Sequence, residues 1–228
     1  MRRTLIILFA AASLTVTAVP AGAADTGPYR AGAYYFGIYR SQESWDGVAG
    51  RFPQPALGWY DTADPQVMRA HIAQARGAGL SFFNFYWYWR AGGEAYSQDA
   101  VRTFMAVTDG FQFMLSICGH PWDSLTILNG TDSARAVRTI AAYTTHPAYL
   151  RLSDGRPVIE ILDSRGIYRG DAYSTNLFIA RLSREVYRQA GVTPYILINA
   201  ELSFARDVYR ADGYTCHAPF VEVHGGPY

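Results

Sequence analysis

The sequence predicts an α/β fold built from parallel βαβ units, and within that class a (β/α)8 TIM-type barrel of which about six units are present. Three observations predict it. Strand-like and helical runs alternate as βαβαβαβαβαβ with no long interruption, the order of parallel crossover units. The best-defined strand, Leu80 to Trp89 (LSFFNFYWYW), is apolar on both faces, which belongs in a parallel sheet covered by helices. Polar and aromatic residues gather after several different strands, as in a barrel, and no GxGxxG follows the first strand, which weakens the open, doubly wound nucleotide-binding sheet. A complete small six-stranded sheet is the rival architecture.

The elements follow in chain order. Arg2 and Arg3, the apolar run Leu5 to Val19 and the small residues Ala21-Gly22-Ala23 read as a secretory signal peptide over residues 1–23. The apolar run is short for a membrane span, so an uncleaved anchor is the lesser alternative. The folded domain is then 24–228, secreted or periplasmic, with no membrane contact after cleavage. Ala33 to Tyr39 is the first strand, and 41–63 a loop. Asp64 before Pro65, followed by Val67, Met68, Ile72 and Ala75, starts a helix that Gly77 and Gly79 end. After Leu80–Trp89 and Gly92-Gly93, Ser97 caps a helix to Val107. Further strands are expected at 111–118, 157–162, 193–199 and 212–220, and helices at 132–143, 173–190 and 204–209. His146-Pro147 and the RLSDG stretch at 151–155 turn the chain.

Composition excludes several functions. Without residues 1–23 the chain holds 18 arginines against 19 acids, a net charge of −1, which gives no overall basic excess for nucleic acid or anionic lipid. Every cationic residue is Arg, so lysine Schiff-base chemistry is excluded. Neither a metal nor a cofactor is called for: Cys118 and Cys216 lack paired zinc spacing, and they read as buried thiols more readily than as a disulfide. No G-x-S-x-G elbow supports serine hydrolase chemistry. Seventeen tyrosines, which join a flat apolar face to a polar tip, suit a carbohydrate partner.

Three blocks carry a resemblance: PALGWYDTADPQVMRAHIAQARGAGLSFFNFYWYW, FQFMLSICGHPW and HPAYLRLSDGRPVIEILDS. In order and spacing they resemble glycoside hydrolase family 99 and its family 71/99-like relatives over roughly residues 33–220. The resemblance implies a (β/α)8 barrel acting on glycans, with founding members endo-acting on α-mannosides. It also implies two catalytic glutamates in a late Glu-x-x-Glu block. Here Glu222 is followed at position 225 by Gly, so the expectation is the N-terminal three-quarters of a barrel with its acid pair beyond the chain end. A full barrel typically needs about 250 residues.

Glycoside hydrolysis needs two carboxyls flanking the scissile bond, placed just past strand ends. Asp163 and Glu201 hold such positions and are the weak catalytic candidates; Asp163 serves equally as a substrate hydrogen-bonding group or a structural ion pair. Glu160, inside a strand, needs an Arg or hydroxyl partner if it faces the lumen. Tyr86 and Tyr88 point to one side of their strand, Trp87 and Trp89 to the other, and one pair faces sugar. His120 and Trp122 follow the 111–118 strand, where the family often carries an acid or amide; a carboxylate is lost there. Tyr39, and less so Arg40, take the place of a sugar-facing aromatic by resemblance. His217 is divided between core and site, and His146 is structural. The resulting expectation is an exported glycoside hydrolase-like protein; a non-catalytic or degenerate glycan-binding barrel is the alternative.

Overall fold

Strands follow one another in space in the order in which they occur in the chain. A computed structural model of the protein describes residues 30–40, 42–119, 125–199 and 209–215. The strands are β1 (Gly32–Tyr35), β2 (Phe82–Arg90), β3 (Glu94–Tyr96), β4 (Gln112–Cys118), β5 (Val158–Asp163), β6 (Tyr195–Asn199) and β7 (Gly213–Thr215). The helices are α1 (Gln42–Asp46), α2 (Pro65–Gly77), α3 (Asp99–Val107), α4 (Thr131–Thr144) and α5 (Ala172–Ala190). The sheet runs β1-β2-β4-β5-β6-β7, all parallel, and β3 pairs antiparallel with β2 as a short hairpin. A doubly wound sheet reverses its strand order at a switch point; this one does not, which is barrel topology. Among the described residues β1 and β7 form the sheet's two edges.

Residue alternation sorts the side chains. Phe83, Phe85, Trp87 and Trp89 of β2 share a layer with Phe113, Leu115 and Ile117 of β4 and with Ile159 and Ile161 of β5, all buried. Helices cover that layer at helical spacing: Met68, Ile72 and Ala75 of α2, Ala136, Val137, Ile140 and Ala141 of α4, and Phe178, Leu182 and Val186 of α5. Tyr34, Asn84, Tyr86, Ser116 and Glu160 are in register on the other face.

That second face is concave. The Tyr34 hydroxyl reaches Glu160 at 2.8 Å although β2 and β4 lie between their strands. Three strand spacings of roughly 4.8 Å would hold the two backbones about 14 Å apart in a flat sheet, with the side chains parallel and out of reach. The contact therefore requires the sheet to curl.

Local signals explain the boundaries. Asp64 accepts from the Gln66 backbone N–H at 2.7 Å, with Pro65 at the first helical position. Asp171 caps α5 through the Ser174 N–H, and Gly191 closes it at φ 74. Two expectations are corrected. Ser97 does not cap α3: it stands at φ 56, its hydroxyl donates to the Gly37 carbonyl, and Gln98 takes the cap position. The first strand ends at Tyr35 rather than Tyr39, because the chain leaves the sheet into a loop clamped by Thr62 Oγ1, which donates to the Gly37 and Tyr39 carbonyls. The 204–209 helix falls largely outside the described residues. Within them, no helix is long and apolar enough to cross a membrane.

Candidate functional site

Glu160 sits at the centre of the concave face. The carboxylate is 1 % exposed and takes four donors from four strands. Oε1 accepts from Tyr34 of β1 at 2.8 Å and from Thr215 of β7 at 2.6 Å. Oε2 accepts from Asn84 Nδ2 of β2 at 2.7 Å and from Ser116 Oγ of β4 at 2.5 Å. Burying a carboxylate is tolerable only with such saturation. The hydroxyl partners that a lumen-facing Glu160 demands are thus present. The same four donors occupy the lone pairs that proton transfer would use, so in this arrangement Glu160 organises the site. Asn84 Oδ1, also buried, has no hydrogen-bond partner among the described residues.

Toward the strand ends lies an aromatic ladder. Tyr34 stacks on Tyr86 at 5.5 Å between ring centroids, Tyr86 stacks on Tyr88 at 6.4 Å, and the exposed Phe36 meets Tyr86 edge-on. Tyr88 in turn meets the exposed Tyr96, over which Arg90 lies. Burial, then the Cys118 and Glu160 charges, push the Tyr86 hydroxyl up to about 12. Tyr34 is raised by burial, then by the Glu160 carboxylate, and Tyr88 by burial, then by Cys118. All three hydroxyls keep their protons at neutral pH and remain donors. Cys118 is a buried free thiol below them, raised well above its usual value first by burial.

The other expected site residues fall as follows. Trp87 and Trp89 face the helices at 0 % and 3 % exposure, and Trp89 donates to Asp132 at the start of α4. Their place in the helix-covered layer corrects their assignment as contacts; β2 turns its tyrosines, not its tryptophans, to the concave side, where Tyr86 is half-buried and Tyr88 is 6 % exposed. Asp163 is buried and held by Arg165, which donates Nε to Oδ1 at 2.9 Å and Nη2 to Oδ2 at 2.7 Å. Its structural ion pair is therefore present. Arg40 is tied to Asp61 and Asp99. Tyr39 stacks on the buried Trp45 at 4.0 Å, in a loop cluster that includes Trp59 and Tyr60. His146 accepts from the Ala148 N–H, a structural role. Glu201, His120, Trp122 and His217 lie outside the described residues.

Sequence reasoning missed Tyr34, Phe36, Asn84, Ser116 and Thr215. Period-two alternation carried a signal for two of them, since Asn84 and Ser116 are polar residues at one parity of otherwise apolar strands. The loops above the site are fixed at one crossing. A Cβ on Gly119 would stand 2.8 Å from Gly166 Cα, and the Gly119 N–H donates to the Asp163 carbonyl at 3.0 Å. On the helix layer, a cleft of about 600 Å³ is lined by Met105, Arg138, Tyr143 and His146.

Fold and site together define a TIM-type barrel whose polar and aromatic groups pool on the inner face. The sequence profile described as glycosyl hydrolase family 99 matches residues 27–195, and the chain belongs to that family. The fold is similar to that of the family 99 endo-alpha-mannosidase from Bacteroides thetaiotaomicron in complex with BIS-TRIS-propane. There the identity is 21 % and the TM-score 0.54, with 82 % of this chain and 58 % of that one covered. A second structure of that enzyme gives 19 % and 0.54, with 82 % and 61 % covered. At these identities the likeness shows fold alone. The protein called WxcX, uncharacterized, from two strains of Xanthomonas campestris pv. campestris, is 29 % identical over 136 residues, 50 % of this chain and 19 % of its own length. The chain thus spans about a fifth of the curated relatives it matches.

Proposed function

We propose that this chain forms the glycan-holding part of an exported glycoside hydrolase-like protein, with the half-buried Tyr34 and Tyr86 of the tyrosine ladder as the sugar platform and the buried Tyr88 as its support. The observation that carries the reading is that ladder, set at the carboxyl ends of parallel strands in a family 99 barrel. The half-buried Tyr86 offers part of its ring to the C–H side of a pyranose and a protonated hydroxyl to its oxygens, while the Tyr34 hydroxyl already donates to Glu160. The reaction class is hydrolysis of a glycosidic bond by two carboxyl groups. Glu160 and Asp163 are held by internal partners, so the reacting pair is assigned outside the described residues. The signal-like segment at residues 1–23 supports a secreted or periplasmic location.

The test is an oligosaccharide panel that includes α-mannans, read for both binding and chain cleavage. Binding to at least one glycan that Tyr86→Ala weakens about tenfold, near 1.4 kcal/mol, is the expected result. No binding to any glycan sinks the reading. The second reading, a glycan-binding barrel without hydrolysis, draws on the engagement of both carboxylates by internal partners. Tight binding with no cleavage of any bound oligosaccharide selects it.

A further inference from the structure

A second surface, on the far side of the sheet from Glu160, concentrates positive charge. Two clefts run over the outer helices. One of about 360 Å³ is lined by Arg102 of α3 and by Arg135 and Arg138 of α4. The other, about 260 Å³, is lined by Arg138 again and by Arg181, Arg184 and Arg188 of α5, with Glu185 the one acid in either lining. Arg138 is common to both and also lines the cleft of about 600 Å³ beside Met105, Tyr143 and His146, so the three clefts meet. Positions 181, 184 and 188 share one helix face and extend along about 10 Å.

The partners of these guanidinium groups leave much of the charge uncompensated. Arg135 donates to the Gly92 and Gly93 carbonyls. Arg181 donates to Asn129, Ser133 and Tyr168, all neutral. Arg188 pairs with Glu185, and Arg102 stands 3.8 Å from Asp99. Arg138 and Arg184 are exposed; Arg138 lies close enough to Glu185 to help hold its carboxyl down, and Arg184 has no acid partner among the described residues. The whole chain carries a formal charge of only +1, so this density is local.

We propose that the α3–α4–α5 groove binds an anionic polysaccharide bearing carboxylates, with Arg138 and Arg184 as its principal contacts. Arginine's planar fork matches a carboxylate through two parallel hydrogen bonds. A recessed path lined by separated guanidinium groups suits an extended charged chain. The lining argues against two other polyanionic partners. Single-stranded nucleic acid needs exposed rings for stacking, and the large rings in these clefts, Trp89 and Tyr143, are 3 % and 8 % exposed. A lipid surface needs large exposed apolar side chains to insert, and the apolar lining beside these rings is Ala95, Ala134, Ala142, the buried Val137 and the half-buried Met105.

The probe is sodium polygalacturonate, titrated calorimetrically into the full chain at low and at raised salt, with neutral dextran alongside. Wild type is expected to bind polygalacturonate and not dextran, with affinity falling as salt rises. Arg138→Ala/Arg184→Ala is expected to bind about tenfold more weakly or worse. Arg51→Ala/Arg69→Ala, which removes equal charge elsewhere, is expected to bind like wild type. Unchanged circular dichroism and melting show that both variants fold. No binding by wild type, equal loss in the two double variants, or no loss in the first overturns the proposal. So does tighter binding of phosphatidylglycerol vesicles or a single-stranded DNA oligomer than of polygalacturonate. The groove is remote from the tyrosine ladder, so failure here leaves the reading of the concave face standing.

Discussion

The Tyr34 hydroxyl on β1 donates to Glu160 Oε1 on β5 at 2.8 Å, a span that only a curled sheet permits. Removing the hydroxyl with Tyr34→Phe is expected to cost about 1–2 kcal/mol in urea unfolding. Glu160→Ala strands several buried donors at once and is expected to cost about 3 kcal/mol or more. A Glu160→Ala variant as stable as wild type would remove the carboxylate from its central place.

The crossing of the two loops above the site tolerates no side chain. Backbone atoms of Gly119 would lie 2.6 Å from a Cβ on Gly166, and neither partner is a flexible side-chain end. Gly119→Ala and Gly166→Ala should each lower stability by about 1–3 kcal/mol. Thermal melting of each variant checks this, and an unchanged midpoint refutes the tight crossing.

His71 provides a pH signature. Burial holds its imidazole below the ordinary 6.5, and Nδ1 is hydrogen-bonded to the Tyr35 hydroxyl at 2.8 Å, with Tyr60 edge-on to the ring. Below pH 6.5 the unfolded chain takes up a proton that the folded histidine resists, so stability falls as pH drops through that value. The loss stops growing once pH is below the folded pKa. His146, also lowered by burial, acts with the same sign. His71→Gln is therefore expected to flatten part of the decline, as read from urea midpoints across that range. An identical slope in the variant would place the effect elsewhere.

Tyr86 and Trp87 are neighbours with opposite fates, which gives a contrast. Tyr86→Ala should weaken glycan binding while costing little more than its stacking, about 0.5–1.5 kcal/mol beyond area. Trp87→Ala should cost about 3–5 kcal/mol of stability. Trp87→Phe should be much milder, because it also removes a buried Nε1–H that has no acceptor among the described residues, and should leave glycan affinity unchanged, because Trp87 faces the helices. A loss of glycan affinity in Trp87→Phe would contradict the orientation of β2.

Much of this architecture is legible in the chain because the signals are local. Asp64-Pro65 marks a helix start, and a strand apolar on both faces marks a parallel sheet. The Arg151–Gly155 turn shows in its Asp-Gly pair and is realised as an antiparallel bridge between Arg151 and Pro157. What sequence cannot show is which parity of a doubly buried strand turns inward. Tyr86 and Trp87 are equally suited to sugar until the register of β2 against β1 and β4 is known. Tyr34, Asn84, Ser116 and Thr215 are individually unremarkable, and their common acceptor emerges only when four distant strands meet. Ser97 misled for a different reason: a left-handed backbone conformation overrode its ordinary preference for capping.

A single oxygen, Glu160 Oε1, accepts hydrogen bonds from a residue 126 positions upstream and another 55 positions downstream. Such long sequence separations delay native pairing during synthesis. A nascent chain would carry this acid, still hydrated, until Thr215 had emerged from the ribosome. Closure of the Glu160 hydrogen-bond shell is thus tied to the arrival of β7, and an interval of open, chaperone-accessible chain precedes it.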